Sequence, residues 1–397
     1  MQFQKLKSTL GTWFFCALSL YSTIRVLLER PTSGHYRIFT GAARVLWQKQ
    51  DPYEYDFHSV GYWFYSQSCA MFFFSLFAYL PDLLGLLLYT LFSVGAFVAA
   101  LLYFYSEFFQ ETIAVTFKRR EVQWTLALAG LQIFEAINAA KVETVMVAVL
   151  LFSITRWMQG RFLLGALLLG MVVEWKFQPL PIVGLVLMVF LVARRQLLPL
   201  FYFGTSVVLW HFLPAVFLGW STLQQLELHH QNSLTHFLVE SYAHYDNFYK
   251  FLAAIRLPVS WGGSLILSGA IGLVFFLGVT GESFKNRLKF LEKLLLAMTL
   301  GSVFLFALSP MAQNNGSIAA TGVLICAVYL ATHAQQKWIK FQSITVLVFF
   351  SFAYSDLLPG FIKNGLRDFS VKSAIVLAFG FLSYFSFRAD LRKNSSP

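Results

Sequence analysis

The sequence predicts an all-helical polytopic integral membrane protein with about 12 transmembrane helices, within a range of about 11–13. Apolar residues make up 57% of the 397 residues. Charged residues make up only 12%, about half the fraction usual in soluble domains. Many apolar runs of roughly 17–25 residues carry no interior charge, which is the length that crosses a bilayer. The three cysteines show neither a disulfide framework nor metal-ligand spacing.

The predicted helices form a single membrane domain that covers residues 1–397. Two long outer loops interrupt it, at about 28–82 and about 219–258. The apolar segment at about 62–80 ends at Pro81-Asp82, and we interpret it as an interfacial or half-inserted helix. The predicted spans are about 9–27, 83–106, 122–138, 141–157, 162–175, 177–193, 198–218, 259–278, 293–309, 316–333, 340–358 and 371–388.

The distribution of basic residues predicts the orientation in the membrane. With the N-terminus inside, the short runs "KRR", "RR" and "KNRLK" all fall on the cytoplasmic side, as the positive-inside rule requires. Both termini are then cytoplasmic. The net charge of +11 is explained by these helix ends, so nucleic acid is not an expected partner.

The first outer loop contains an amphipathic helix. Ile38, Ala42, Val45 and Leu46 recur at helical spacing, which is typical of a helix at the membrane interface. Carboxylates follow, at Asp51, Glu54 and Asp56, and each is a possible general base. Two interpretations stay open: a structural loop that snorkels its charges to water, or a site where lipid phosphate meets cations.

A second polar feature joins two predicted spans on the same outer side. Glu174 and Lys176 precede Pro179, and Lys141 and Glu143 lie between two other spans. Charges at a membrane boundary need partners, so a structural ion pair is one interpretation. A lysine that presents its ammonium group to a lipid phosphate is the other. Several helix tips that converge on one plane favour a site.

Two more outer segments are polar. The second loop holds His229, His230, His236 and His244, but adjacent histidines on a helix do not aim at one ion, so we predict no metal site. A polar recognition loop or a lid over a lipid groove is the preferred interpretation. The turn "SPMAQNNGS" carries amides, which suit sugar hydroxyls because they both donate and accept hydrogen bonds.

At these residues the chain resembles glycosyltransferase family 87, the relatives of the polyprenol-phosphate mannosyltransferases with a C-type glycosyltransferase fold. The resemblance extends from about Gly34 to Gly316 and rests on the order of short motifs. These are "YRIFTGAARVLWQKQDPY", an apolar segment ending in "LP", "KFQP" at 176–179, "QNSL" at 231–234 and "SP" at 309–310.

The chain also departs from the family pattern at four places. His35 stands where the family commonly has an aspartate, and Lys141 and Glu143 stand in a segment that is often Gly-Gln-X-Asn. The common Asn-Gln-Ser-Leu is replaced by the "QNSL" segment. After Ser-Pro, the residues from Met311 to Asn315 replace a common Trp and His.

The resemblance implies transfer of a hexose, mannose-like, from a polyprenyl-phosphate donor to a glycan or glycolipid acceptor at the outer face of a bacterial inner (plasma) membrane. Besides the two substrates, membrane lipids are the expected partners. No cofactor is expected, although a divalent ion is compatible with the chemistry. The candidate catalytic residues are His35, Asp51 and Glu143, and the candidate substrate-binding residues are Arg37, Tyr53, Lys141, Glu174, Lys176, Gln178, Asn232, Gln313 and Asn314.

Two alternatives remain open at this point. About twelve spans in about 400 residues also fit a secondary transporter or flippase of lipid-linked or polar substrates. Loss of the usual family aspartate also fits a catalytically inactive, lipid-binding family member.

Overall fold

The structure, a computed structural model, describes residues 9–28, 34–55, 65–138, 141–177, 179–241, 248–257, 260–285, 288–308, 317–352 and 371–394. These residues form helices and no strands. The helices are α1 Leu10–Leu28, α2 Gly34–Trp47, α3 Ser75–Ala78, α4 Asp82–Phe109, α5 Ile113–Thr116, α6 Arg120–Asn138, α7 Glu143–Met158, α8 Phe162–Trp175, α9 Leu180–Ala193, α10 Leu198–Leu218, α11 Trp220–Ser241, α12 Phe248–Ala254, α13 Trp261–Lys285, α14 Phe290–Val303, α15 Ser317–His333, α16 Lys337–Phe352 and α17 Val371–Asn394.

A helix occupies each of the twelve segments that the sequence predicts as spans. Within the described residues, three segments are long and apolar enough to cross a membrane: Asp82–Phe109, Leu198–Leu218 and Gly262–Gly281. Large apolar side chains such as Val216 and Ile266 stand exposed on them. Exposed apolar faces of this extent are stable against lipid and costly in water, so the all-helical membrane class is supported.

Glycines allow the helices of the bundle to pack closely. In α8, a side-chain carbon at Gly170 would lie 2.3 Å from Ser206 Oγ of α10. In α14, one at Gly301 would lie 2.5 Å from Ile182 Cα of α9. Helix pairs in membranes commonly use such small residues because backbones then approach and gain dispersion contacts. The crossings of α8 with α10 and of α9 with α14 are thereby fixed.

The order of the helices creates two polar ends of the bundle. The start of α7, the end of α8, the start of α9 and the end of α10 lie together, and we call this the site end, marked by Glu143 and Lys176. At the other end, Arg119 pairs with Glu111 at 2.6 Å and His333 with Glu121 at 2.6 Å. We call this the basic end, because Arg156 and Arg194 also lie there.

Helix α2 and the short helical segment after it cover the site end. All four residues of the predicted apolar face of α2 are buried, as the helical spacing predicts. The segment predicted at about 62–80 is a π-helical turn, Cys69–Phe74, which continues into α3. The helical residues 67–78 number twelve and reach about 18 Å, short of a bilayer core of about 30 Å, so the described part of this segment, which packs beside α4, is too short to cross.

Most of the described part of the second predicted outer loop is helical. Residues 220–241, expected as a recognition loop, form the helix α11. The sequence does not show α11 as an amphipathic helix. Its composition is polar, it lies between other elements, and its apolar residues form no continuous stripe. Its Leu223 and Leu226 are buried, which anchors the helix to the bundle.

Replacing Gly301 by alanine is expected to destabilise the bundle. The added carbon would meet the backbone of α9, which cannot move aside as a flexible side chain would, and overpacking of this kind costs about 1–3 kcal/mol. Gly184→Ala in α9 is the matched control, since nothing lies within 4 Å of a side-chain carbon there. Thermal unfolding in detergent measures both. Equal unfolding temperatures for the two variants would contradict the tight crossing.

Candidate functional site

A buried ion pair stands at the centre of the site end. Lys176 Nζ lies 2.9 Å from Glu143 Oε1, and the side chains are 12% and 3% exposed. Glu143 opens α7, and Lys176 follows the last residue of α8. The pair therefore joins two helix ends, and the ring of Tyr65 lies 5.3 Å from Lys176 Nζ as a further cation partner.

Two more ionisable groups surround this pair. Lys141 precedes Glu143 by two residues, and its backbone carbonyl accepts a 2.8 Å hydrogen bond from the Tyr89 hydroxyl. His35, at the start of α2, faces Lys141, Glu143 and Lys176. Burial lowers the pKa of His35, and the charge of Lys141 lowers it further. The imidazole is therefore neutral at physiological pH and lies in an electropositive corner.

Glu174 forms a second polar cluster two residues before Lys176. This buried carboxylate accepts hydrogen bonds from the hydroxyls of Ser66, at 2.8 Å, and Ser68. His211 Nδ1 of α10 lies 3.8 Å from its other oxygen. The thiol of Cys69 experiences the charges of Glu174, Glu143 and Lys176 together, so the two clusters lie close to each other.

Helix α11 adds carboxylate and imidazole groups beside this second cluster. Glu227 lies 3.8 Å from His230 Nδ1, and its charge also acts on His211. The nearby His230 imidazole lowers the pKa of Glu227, so this carboxylate is charged at neutral pH. His230 stacks on Tyr53, with ring centroids 5.3 Å apart. The Tyr53 hydroxyl donates to the Tyr65 carbonyl at 2.7 Å, so Tyr53 is an internal support.

Asp51 pairs with His229 of α11 at the rim of the site end. Its second oxygen accepts the backbone N–H of Tyr53 at 2.8 Å. Glu54 Oε1 lies 3.9 Å from His229 Nδ1. These three residues offer ligand atoms within 4.8 Å of one another that could hold a metal ion. Because Glu54 is exposed and the other two already pair, the geometry is also that of an ordinary surface ion pair.

The remaining predicted residues divide into three groups. Arg37 shares a face of α2 with Arg44, one heptad later, and Arg44 contacts the Ala78 carbonyl at 2.6 Å, so this face points away from His35. Asn232 is exposed on α11, one turn beyond His229. Gln178, Gln313 and Asn314 lie outside the described residues, as do Asp56 and His244.

Several buried polar atoms beside these clusters have no hydrogen-bond partner among the described residues. They include Glu143 Oε2, Gln67 Nε2 and Trp175 Nε1. Buried polar groups in folded proteins are nearly always paired. Polar atoms that lack the partner usual for buried groups therefore gather at this end of the bundle.

Sequence reasoning missed four residues that the structure places at the site: His211, Ser66, Ser68 and Tyr65. The two serines and the tyrosine lie in an aromatic segment that gives no polar signal. His211 did give one, because it is an ionisable residue inside a 21-residue apolar helix. Such residues in membrane segments usually have functional partners.

Breaking the buried pair is expected to destabilise the protein. Lys176→Met leaves Glu143 as an uncompensated buried charge, and Glu143→Gln leaves the lysine unpaired, each at a cost of about 3–5 kcal/mol. The double variant removes both charges and should lose less than the sum of the two. A double-mutant cycle on thermal unfolding measures the coupling. Additive losses would show that the two side chains do not interact.

The Asp51–His229 contact is expected to make stability depend on pH. The hydrogen bond with Asp51 raises the pKa of His229 above the 6.5 of a free histidine. Its stabilisation is then fully present below about pH 6.5 and is lost as the pH rises through the raised value. His229→Gln should therefore unfold earlier than the wild type below that pH and match it at high pH. Parallel unfolding curves across the pH range would contradict this.

Comparison of the chain with protein-family profiles, curated proteins and solved structures finds no match. The side chains gathered at the site end are therefore the basis for the function proposed below.

Proposed function

We propose that the protein is a membrane hexosyltransferase that moves a sugar from a polyprenyl-phosphate donor to an acceptor at the outer membrane face. The supporting observation is the gathering of Lys176, Lys141 and Glu143 at one end of an apolar helical bundle, beneath the amphipathic helix α2. The proposal includes about twelve crossing helices, a C-type glycosyltransferase architecture, cytoplasmic termini and a bacterial inner membrane.

The two lysines suit a phosphate that becomes more negative as the bond to the sugar breaks. A fixed cation lowers the energy of that growing charge, and it does so most effectively where water is excluded. Glu143 and Tyr65 hold Lys176 in place before substrate arrives. The cation therefore needs no reorganisation during the reaction, and a lipid phosphate reaches it from the bilayer side of the bundle.

The sugar would lie between the lysines and α11. The unpaired donors of Gln67 and Trp175 are available to its hydroxyls, and Asn232 is exposed on α11. The amides of Gln178, Gln313 and Asn314 complete the proposed sugar-binding set. Amides and ring N–H groups discriminate between hexoses because each hydroxyl must find its own partner.

Three residues are proposed as the general base, and they differ in their surroundings. Glu143 is engaged with Lys176, and Asp51 is engaged with His229. His35 is neutral and can accept a proton, but two lysines face it.

The positions of the ion pairs favour an enzyme over a transporter. A carrier that couples transport to ions or protons needs charged groups near the middle of the bundle. Among the described residues, the pairs Glu143–Lys176 and Glu121–His333 lie at opposite ends. Polar chemistry at one surface suits a reaction between a lipid and a water-borne acceptor.

Transfer of label from radiolabelled polyprenyl-phosphate hexose to an envelope lipid extract tests the proposal. Lys176→Met should lower the rate by about 10²–10³-fold, because the leaving phosphate loses its cation. Lys176→Arg keeps the charge and should retain part of the rate. Lys337→Met is the control, because this exposed lysine lies at the basic end. Absence of transfer by the wild type with mannosyl and glucosyl donors, or full activity of Lys176→Met, would refute the proposal.

A further inference from the structure

The charges at the site end are sorted into two poles. Lys141 and Lys176 form a positive pole, with His35 beside it. Glu174 and Glu227 form a negative pole on the side of α10 and α11. Cys69 lies between the poles and experiences charges of both. A reaction that produces a phosphate anion and a released proton has a use for each pole.

His211 stands within the negative pole. Its Nδ1 lies 3.8 Å from Glu174 Oε1, and its side chain is 36% exposed. Glu174 from α8 and Glu227 from α11 are the titratable groups that face it among the described residues. Nδ1 is the ring nitrogen that faces Glu174, so Nε2 is the nitrogen left to accept a proton from a substrate.

A histidine that accepts a proton becomes a cation, so its neighbours decide how well it serves as a base. Two lysines face His35 and oppose the charge that it would acquire. Two carboxylates face His211 and stabilise that same charge. The acidic groups of Asp51 and Glu143 are already engaged in ion pairs. Between His35 and His211, the local charges therefore favour His211 as the proton acceptor.

Glu174 has the features of a group that orients such a base. Two serine hydroxyls fix one of its oxygens, and the carboxylate is buried, at 6% exposure. A carboxylate held in this way directs an imidazole and stabilises the imidazolium that forms, as in other carboxylate–histidine pairs. Its position on α8, two residues before Lys176, ties the orientation of the base to the cation that receives the phosphate.

We infer that His211 is the general base for the acceptor hydroxyl, positioned by Glu174; this inference rests on the proposed function. The acceptor oxygen forms a bond to the anomeric carbon and gives its proton to His211 Nε2. The bond between that carbon and the phosphate oxygen breaks, and its electron pair remains on the phosphate beside Lys176 and Lys141. Glu227 and His230 then offer a route for the proton to water.

The test compares His211→Gln with the wild type in the sugar-transfer assay, together with binding of radiolabelled polyprenyl phosphate. The glutamine should lower kcat by about 10²–10⁴-fold, which is the contribution of a general base, and leave binding of the lipid phosphate unchanged. His333→Gln is the matched control, because this half-exposed histidine also pairs with a glutamate but lies at the basic end. It should keep the wild-type rate.

Two further measurements separate a base from a merely structural histidine. Added imidazole should restore activity to His211→Ala, since a small base can enter the space that the side chain leaves. Glu174→Gln should move the acid limb of the kcat profile to lower pH, because the imidazolium loses a facing carboxylate. A structural ion pair between α8 and α10 would show neither effect.

The outcomes distinguish the two proposals. Wild-type transfer together with a fully active His211→Gln, or an inactive His211→Ala that imidazole does not rescue, overturns the role of His211 and leaves the transferase proposal standing. A wild type that binds the lipid phosphate but transfers no sugar overturns both. A His211→Gln variant that no longer binds the lipid phosphate also overturns the inference, because a base is not needed for binding.

Discussion

The contact between Glu143 and Lys176 is the constraint on which the site end depends. Both charges are buried, so either one alone would be severely destabilising. The two side chains come from the start of α7 and the end of α8, which a short turn at Gly160 joins at the other end of the bundle. Packing of these two helices brings the charges together, and the pair in turn holds both helix ends in register. Tyr65 and His35 both lie near Lys176, so their positions relative to this cation depend on the ion pair.

The lysines and the carboxylates at the site end are separated because they come from different elements. The lysines come from the segments just before α7 and just after α8, whereas the carboxylates face α10 and α11. The buried Cys69 lies between the two poles and keeps them apart, although charges attract each other strongly across a medium of low polarity. If the positive and negative groups were intermixed, the site end would bind charged lipids of either sign. Proton movement would then be favoured in no particular direction.

Local sequence patterns were sufficient to predict the helices. Which residues form the site depends on contacts between helices that are distant in the sequence. The apolar spacing of α2 and the uncharged runs of the bundle need no knowledge of neighbours, so the sequence was sufficient for them. The sequence grouped Arg37 with Lys176 as candidate substrate-binding residues. Whether the two side chains lie together depends on the rotation of α2 about its own axis, which the contact of Arg44 with the Ala78 carbonyl sets. His211 was missed because a single histidine in an apolar run has no periodic signal. Its importance arises from Glu174 and Glu227, 37 positions before it and 16 after it in the chain.

Irregular backbone lies on both sides of the negative pole. Cys69–Phe74 forms a π-helical turn immediately after the serines that bind Glu174, and Pro214 stands inside α10 one turn after His211. Proline provides no N–H for the Trp210 carbonyl, and a π-helical turn is less stable than the α-helix that it interrupts. Both features cost stability. Irregularities of this kind persist where they position functional groups, and here they flank His211, which Glu174 and Glu227 face.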